Sequence, residues 1–153
     1  MGAFQYLALA FIAYTLIKAI FFTDRSPIPE TSGNVHKITS AAQLRALLAS
    51  APYVAVDFYA DWCPPCRAIA PIFSQLAEDY GSVPAKLAFA KVNVDHVKDV
   101  AAEFGVTAMP TFMFFRDGQT LGERVRGANK SALETVVKAL AAEVGVEKKK
   151  EME

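Results

Sequence analysis

The two cysteines of the chain lie between an apolar run and a helical pattern. They are Cys63 and Cys66, the only cysteines in 153 residues, and Pro64 and Pro65 separate them. Residues 53–59 are almost continuously apolar, as in a central strand covered on both faces. Apolar residues then recur at helical spacing after Cys66, and proline is favoured at the first position of a helix. The pattern therefore predicts a strand followed by a helix start, with both sulfurs on one face of the first helical turn.

This position favours thiol–disulfide exchange. Cys63 stands where several backbone N–H groups lack intrahelical partners and where the helix dipole stabilises the thiolate, the nucleophilic form of cysteine. Cys66 is placed one turn later to attack a mixed disulfide that Cys63 forms. A zinc site is disfavoured because it needs four ligands, and the two histidines that remain, His36 and His96, do not have the spacing of a zinc finger. A purely structural disulfide is disfavoured because so short a loop constrains the unfolded chain very little.

Several further segments, in order along the chain, resemble the thioredoxin family. They are residues 54–66, 91–95 and 108–112, followed by Asp117-Gly118 and Gly127, within a likeness that runs from about residue 35 to 144. The sequence departs from the commonest thioredoxin motif at Pro64, where that motif has glycine, although Trp-Cys-Pro-Pro-Cys is familiar among eukaryotic h-type thioredoxins. The resemblance implies an α/β thioredoxin fold, a central mixed β-sheet flanked by helices, and protein-disulfide reductase activity.

Two lone charges, Asp57 and Lys91, interrupt apolar strands, where burial of an unpaired charge is unfavourable. In one arrangement, both residues lie at the ends of their strands and are solvated. Alternatively they form a partly buried pair behind the dithiol, with the pKa of Asp57 raised by desolvation so that it acts as a general base toward Cys66. The resemblance implies the second arrangement, because thioredoxins have an aspartate in that role and a lysine near it.

The resemblance also implies a substrate groove beside the dithiol. The peptide bond before Pro110 is expected to be cis and to face the dithiol, although X-Pro bonds are usually trans, and the backbone at Met109 is expected to pair with the substrate chain. Trp62 is either a flat apolar contact for the substrate or a packing residue alone. The complete predicted substrate-binding set is Trp62, Pro64, Pro65, Met109, Pro110 and Gly127.

Composition and charge limit the classes of partner that the chain is expected to bind. The formal net charge is zero, so nothing indicates nucleic acid, and 53% hydrophobic with 21% charged residues suits a packed core. Two cysteines in C-x-x-C form do not make a secreted disulfide framework and suit a reducing compartment. We expect no metal and no bound cofactor. By resemblance, electrons come from NADPH through a thioredoxin reductase, and protein disulfides are the substrates.

The N-terminal residues 2–22 are almost entirely apolar or small. As a helix they span roughly 30 Å, the thickness of a bilayer core, so we expect a membrane anchor through residues 3–22. The segment lacks the basic start and cleavage site of a signal peptide and the Arg and Ser of a mitochondrial presequence, although both alternatives stay open. Lys18, Arg25 and Lys37 follow or end the apolar stretch, so the positive-inside rule predicts a cytosolic domain, with a mitochondrial location as the alternative.

The sequence divides into four parts: a hydrophobic helix (1–23), a Pro-containing linker (24–34), a thioredoxin-like domain (35–146) and a charged tail (147–153). Within the domain we expect the order β-α-β-α-β-α-β-β-α. Ser40 has the form of a helix cap, Asp95 is expected to cap a short helix, and Asp117-Gly118 predicts a hairpin turn between strands 111–116 and 120–126.

Two other functions remain open at this point. The first is a disulfide oxidase or isomerase in the secretory lumen, which differs in the orientation of the N-terminal segment and in the reduction potential of the dithiol. The second is a thioredoxin-fold adaptor, whose client binding would survive loss of both cysteines.

Overall fold

A computed structural model of the chain describes residues 2–21, 24–29, 34–82 and 85–149. Residues 22–23 of the predicted N-terminal segment, residues 30–33 of the predicted linker and residues 150–153 of the predicted tail lie outside this part. The elements in chain order are α1 (Ala3–Phe21), β1 (Val35–Ile38), α2 (Ala41–Ser50), β2 (Tyr53–Tyr59), α3 (Pro64–Tyr80), β3 (Leu87–Asn93), α4 (Lys98–Glu103), β4 (Thr111–Arg116), β5 (Gln119–Thr120), β6 (Val125–Arg126) and α5 (Lys130–Glu143).

The strands form one mixed sheet in the order β1-β3-β2-β4-β5, with β6 also pairing with β4. Strand β3 is parallel to both β1 and β2, whereas β4 is antiparallel to β2. The early strands are joined through helices and the last ones through a tight turn, as parallel and antiparallel connections require. The predicted fold class, a mixed sheet flanked by helices and preceded by an apolar helix, is confirmed.

Side chains that alternate along the central strand supply both halves of the core. On one face, Ala55 of β2 packs with Phe73 of α3 and Leu133 of α5. On the other face, Val56 packs with Leu44 of α2. Every residue of β2 is buried, because helices cover the sheet on both sides.

Of the two predicted helix caps, one is present and one is not. The Ser40 hydroxyl accepts a hydrogen bond from the Gln43 N–H at 3.3 Å, so its predicted cap is present. The prediction that Asp95 caps α4 is wrong. Helix α4 begins at Lys98 without a side-chain cap, and the Asp95 carboxylate instead accepts a hydrogen bond from the Trp62 indole.

The final hairpin is interrupted. Asp117 and Gly118 both adopt positive φ at the predicted turn between β4 and β5, which suits a two-residue hairpin loop. The expected second strand over 120–126 is not continuous, because Gly122 also has a positive φ (63°) and takes the chain out of the extended conformation. The chain returns to pair with β4 only at β6.

Helix α1 is 19 residues long and none of its residues is buried. Its length and composition are sufficient to cross a membrane, and a signal sequence can have the same properties. At the other end of the chain, Lys148 of the predicted tail lies with its Nζ 3.6 Å from Asp79 Oδ2.

Truncating Phe73 should strongly destabilise the domain. Its ring is 2% exposed and lies 5.5 Å, centroid to centroid, from both Phe89 and Phe112. Phe73→Ala removes these contacts and leaves a cavity, so we expect a loss of about 3–5 kcal/mol in the free energy of unfolding. Urea unfolding followed by the fluorescence of Trp62 measures it. Leu121→Ala, at a partly buried position on the same core, is the control and should lose clearly less. Equal losses would contradict this description of the core.

Candidate active site

The dithiol lies where β2 ends and α3 begins. Cys63 is the residue before the helix, with φ −92° and ψ 108°, and Pro64 and Pro65 occupy the first two helical positions. Cys63 and Cys66 are joined by a disulfide bond, and their Cα atoms are 5.2 Å apart. The predicted placement of both sulfurs on the first turn of a helix is therefore confirmed.

The environments of the two cysteines differ. The Cys66 backbone N–H donates a hydrogen bond to Cys63 Sγ at 3.3 Å, which is the contact expected to stabilise a thiolate at a helix start. Cys63 Sγ also lies 3.6 Å from the carbonyl oxygen of Met109. Cys66 is almost inaccessible at 1% exposure, against 4% for Cys63.

The loop before β4 comes to the dithiol as the resemblance implied. The Met109–Pro110 peptide bond is cis. The Pro110 carbonyl accepts a hydrogen bond from the Gly127 N–H at 2.8 Å. Gly127 has φ 75°, a conformation that suits glycine. The structure thus gathers Met109, Pro110 and Gly127 at one rim, beside Cys63.

Asp57 is buried, whereas Lys91 is only partly buried. They are opposite one another in the parallel register of β2 and β3. Desolvation raises the pKa of Asp57 to about 7, and the positive charge of Lys91 opposes part of that rise. Among the described residues, Oδ1 of Asp57 has no hydrogen-bond partner. Of the two arrangements considered, the structure favours the buried one for Asp57, with the lysine beside it.

A small cavity lies beside Asp57 and shares lining residues with the apolar cluster around the dithiol. Tyr59 and Ala70 line this cavity and also pack in the apolar cluster around Cys63 and Cys66. The full lining is Ile28, Pro29, Val35, Asp57, Tyr59, Ala70, Phe73, Ser74 and Lys91. The carboxyl group of Asp57 is therefore placed on the buried side of the reactive pair.

Trp62 stands beside the dithiol with 43% of its surface exposed. Its indole N–H donates a hydrogen bond to Asp95 Oδ2 at 2.8 Å. The Asp95 backbone N–H donates in turn to Asn93 Oδ1 at 3.0 Å. These two hydrogen bonds fix the indole at the surface, so Trp62 is available for contact and is not a core residue.

The sequence analysis missed Asp61 and its partners. The Asp61 carboxylate accepts hydrogen bonds from Asn93 Nδ2 at 3.0 Å and from the Ile28 N–H at 3.1 Å. The Asp61 carbonyl accepts one from Arg67 at 3.0 Å. The sequence did contain a signal for Asp61, since it is a charged residue only two positions before Cys63. Nothing in the linker composition indicated Ile28.

No group of three or more His, Cys, Asp or Glu among the described residues is arranged to hold a metal ion.

Comparison with known proteins agrees with this geometry. The thioredoxin family profile matches residues 34–139 of the chain. A thioredoxin-like protein of Fusarium culmorum is 53% identical over 111 residues, which cover 72% of this chain and 91% of that protein. The chain belongs to the thioredoxin family. It is accordingly a protein-disulfide oxidoreductase, a thioredoxin-type disulfide reductase with a redox-active cysteine pair that acts on protein substrates.

Other thioredoxins are also similar to this chain in sequence or structure. A thioredoxin of Neurospora crassa is 46% identical over 106 residues, covering 67% of this chain and 83% of that protein. The structure of a Plasmodium falciparum thioredoxin superposes with a TM-score of 0.64 at 35% identity, covering 69% of this chain and 98% of that one. The structure of oxidised mitochondrial thioredoxin 3 of Saccharomyces cerevisiae superposes with a TM-score of 0.61 at 38% identity, covering 69% of this chain and 94% of that one. The apolar helix α1 and residues 24–29 lie outside the thioredoxin family match.

In the reduced thioredoxin, an alkylating agent near neutral pH should modify Cys63 well before Cys66. The Cys66 N–H stabilises a Cys63 thiolate, and Cys66 is the more buried residue. We expect a rate ratio of about tenfold or more, read by mass spectrometry of quenched samples. The single variants Cys63→Ser and Cys66→Ser identify the two rates. Equal rates, or faster modification of Cys66, would contradict this assignment.

Proposed function

We propose that this thioredoxin reduces protein disulfides by a two-step exchange in which Cys63 attacks and Cys66 resolves. The Cys63 thiolate attacks one substrate sulfur, forms a mixed disulfide and releases the other substrate sulfur as a thiolate, which takes up a proton. The Cys66 thiolate then attacks Cys63 Sγ and forms the Cys63–Cys66 disulfide, while the mixed disulfide breaks and the second substrate sulfur leaves as a thiolate, which takes up a proton. The observation that supports these roles is the hydrogen bond from the Cys66 N–H to Cys63 Sγ at the start of α3.

Asp57 accepts the proton of Cys66 in the second step. Its burial raises its pKa to about 7, close to an operating pH at which a carboxylate is an effective base. Lys91 lies opposite Asp57 across the two strands and favours the charged form, so it tunes this base.

The substrate chain binds across the rim formed by the Met109–Pro110 loop and Trp62. The backbone at Met109 pairs with an extended substrate, and Gly127 supports the loop through Pro110. The partly exposed indole of Trp62 supplies apolar contact, and Pro64 and Pro65 border the same rim. Because recognition through backbone atoms reads little sequence, many protein disulfides are substrates.

The domain is tethered to a membrane through residues 3–22 and faces the cytosol, where an NADPH-dependent thioredoxin reductase returns two electrons to the oxidised pair. The 19-residue exposed apolar helix supports the tether. Lys18 and Arg25, at and beyond its C-terminal end, support the cytosolic orientation. The chain is divided into the apolar segment (1–23), a connection (24–34), the thioredoxin domain (35–146) and a charged tail (147–153).

Asp57→Asn should slow resolution of the mixed disulfide. The amide keeps the shape of the carboxyl group but accepts no proton, and base catalysis is typically worth about 10²–10⁴-fold, with the low end expected because hydroxide can substitute. The ratio of the wild-type rate to the variant rate should be constant below about pH 7, because the ionised fraction of Asp57 and the concentration of hydroxide then rise in proportion. Above about pH 7 Asp57 is fully ionised, so the ratio should become smaller. Decay of a trapped mixed disulfide between about pH 6 and pH 9 measures it. A variant equal to the wild type at pH 6 would leave Asp57 a structural residue only.

The same substitution should change how stability depends on pH. In the unfolded chain Asp57 loses its proton near its ordinary pKa of 3.8, and in the folded chain only near a pKa of about 7. As the pH rises between these two values, the titration of Asp57 therefore lowers the free energy of unfolding of the wild type by about 1.4 kcal/mol per pH unit. Asp57→Asn removes this slope and should be the more stable form above about pH 7, by urea unfolding of the oxidised protein. An unchanged slope would contradict the burial of a titrating Asp57.

Deleting residues 1–23 should release a soluble domain with unchanged reductase activity. The described part of α1 buries none of its residues against the domain, so no core contact is lost. Carbonate extraction of membranes measures retention, protease protection of the full chain measures orientation, and insulin reduction measures activity, with Cys63→Ser as the inactive control. Unfolding of the shortened chain would contradict the tether. Protection inside secretory vesicles or mitochondria would favour a lumenal oxidase or isomerase, or a mitochondrial thioredoxin.

A further inference from the structure

Residues 24–29, here called the strap, lie against the side of the active site. Polar contacts hold its first half to Arg67, which is adjacent to Cys66 in sequence. The Arg67 guanidinium is 3.5 Å from Asp24 Oδ1 and donates a hydrogen bond to the Ser26 carbonyl oxygen. The Ile28 N–H donates to Asp61 Oδ1 at 3.1 Å. The strap is thus anchored at two points of the segment that carries the dithiol.

Apolar contacts hold the second half of the strap. Ile28 is 9% exposed. It packs in the apolar cluster that also contains Tyr59, Ala60, Cys63 and Cys66. Removing an isoleucine side chain from water favours folding, so burial of Ile28 stabilises the docked strap. A connecting segment that merely spaced two parts of the chain would not bury such a side chain beside the reactive sulfurs.

The same half of the strap forms one wall of the cavity that contains Asp57. Ile28 and Pro29 line that cavity, and neither carries a titratable group. Around Asp57, β3 contributes the charged Lys91, β2 the phenol of Tyr59 and α3 the hydroxyl of Ser74. The neighbour of Asp57 on β4 is the apolar Phe112. The strap therefore contributes two uncharged side chains to the lining of the cavity that contains Asp57.

We propose that the strap is a working part of the active site, in which Ile28 closes the cavity over Asp57 and keeps bulk water from its carboxyl group. Asp61 and Arg67 are positioning residues that hold the strap in place. The strap lies outside residues 34–139 that match the thioredoxin family. In this proposal the strap acts on the proton acceptor without touching the substrate.

This arrangement has a definite physical consequence. Water that enters the cavity solvates the carboxylate and favours its charged form, so opening the strap should lower the pH at which Asp57 loses its proton. The group then becomes a base at lower pH and a weaker base above it. The consequence for the rate of resolution rests on the proposed role of Asp57, whereas the consequence for its titration does not.

The test compares two truncations of buried isoleucines in the full-length chain in detergent micelles. Ile28→Ala opens the strap, and Ile38→Ala removes the same atoms from the opposite face of the sheet. The carboxyl carbon of Asp57 is titrated by ¹³C NMR in the oxidised protein, with Asp57→Asn identifying its signal. We expect the midpoint to fall by about one pH unit or more in Ile28→Ala and to stay unchanged in Ile38→Ala.

Arg67→Lys provides a second variant in case Ile28→Ala does not fold. It keeps the positive charge but loses the planar donor group that holds the Ser26 carbonyl. The midpoint of the Asp57 titration should therefore fall, but by less than in Ile28→Ala. An unchanged midpoint in every folded strap variant overturns the proposal.

The pH dependence of mixed-disulfide decay separates the strap from the mechanism. A rate profile that moves to lower pH together with the titration supports both proposals. A titration that moves while the rate profile stays supports the strap and contradicts Asp57 as the proton acceptor.

Discussion

Strand β2 lies between β3 and β4 with helices on both faces, and all seven of its residues are buried. Its backbone groups are paired with both neighbours, so its position is fixed by the whole sheet. The chemistry depends on this strand because it carries Asp57 within its length and leads directly to Cys63 at its end. Enclosure of β2 thus sets where the sulfurs lie, and it also places a carboxyl group out of water behind them.

That enclosure creates a conflict at Asp57. An apolar residue would suit the core, and the charged carboxylate is disfavoured enough to raise its pKa to about 7. Lys91 reduces the conflict only in part, since desolvation is the larger effect. The proposed mechanism uses this conflict, because a carboxyl group that is half protonated near neutral pH can both accept and return a proton.

Most of the fold and the centre of the site were predictable because they rest on local chemistry. Hydrophobic periodicity and capping residues gave β2 and α3, and the prolines between the cysteines marked the helix start. The cis bond before Pro110 was accessible only through the family resemblance, since local preference favours trans. The Trp62–Asp95 contact and the docking of Ile28 were missed because they join residues distant in sequence, at positions where composition indicated only a cap and a linker.

The strap also bears on how far the dithiol can move from a membrane. Helix α1 ends at Phe21, and the strap is held to Arg67 from Asp24 onward. Three residues extend about 11 Å at most, whereas an undocked chain from Phe21 to the start of β1 at Val35 could extend about 50 Å. Taken with the proposed anchor, a docked strap keeps the side of the domain that carries Arg67 and Cys66 close to the end of α1. The disulfides within reach are then those near the membrane surface, and the contacts of Arg67 and Asp61 with the strap determine that range.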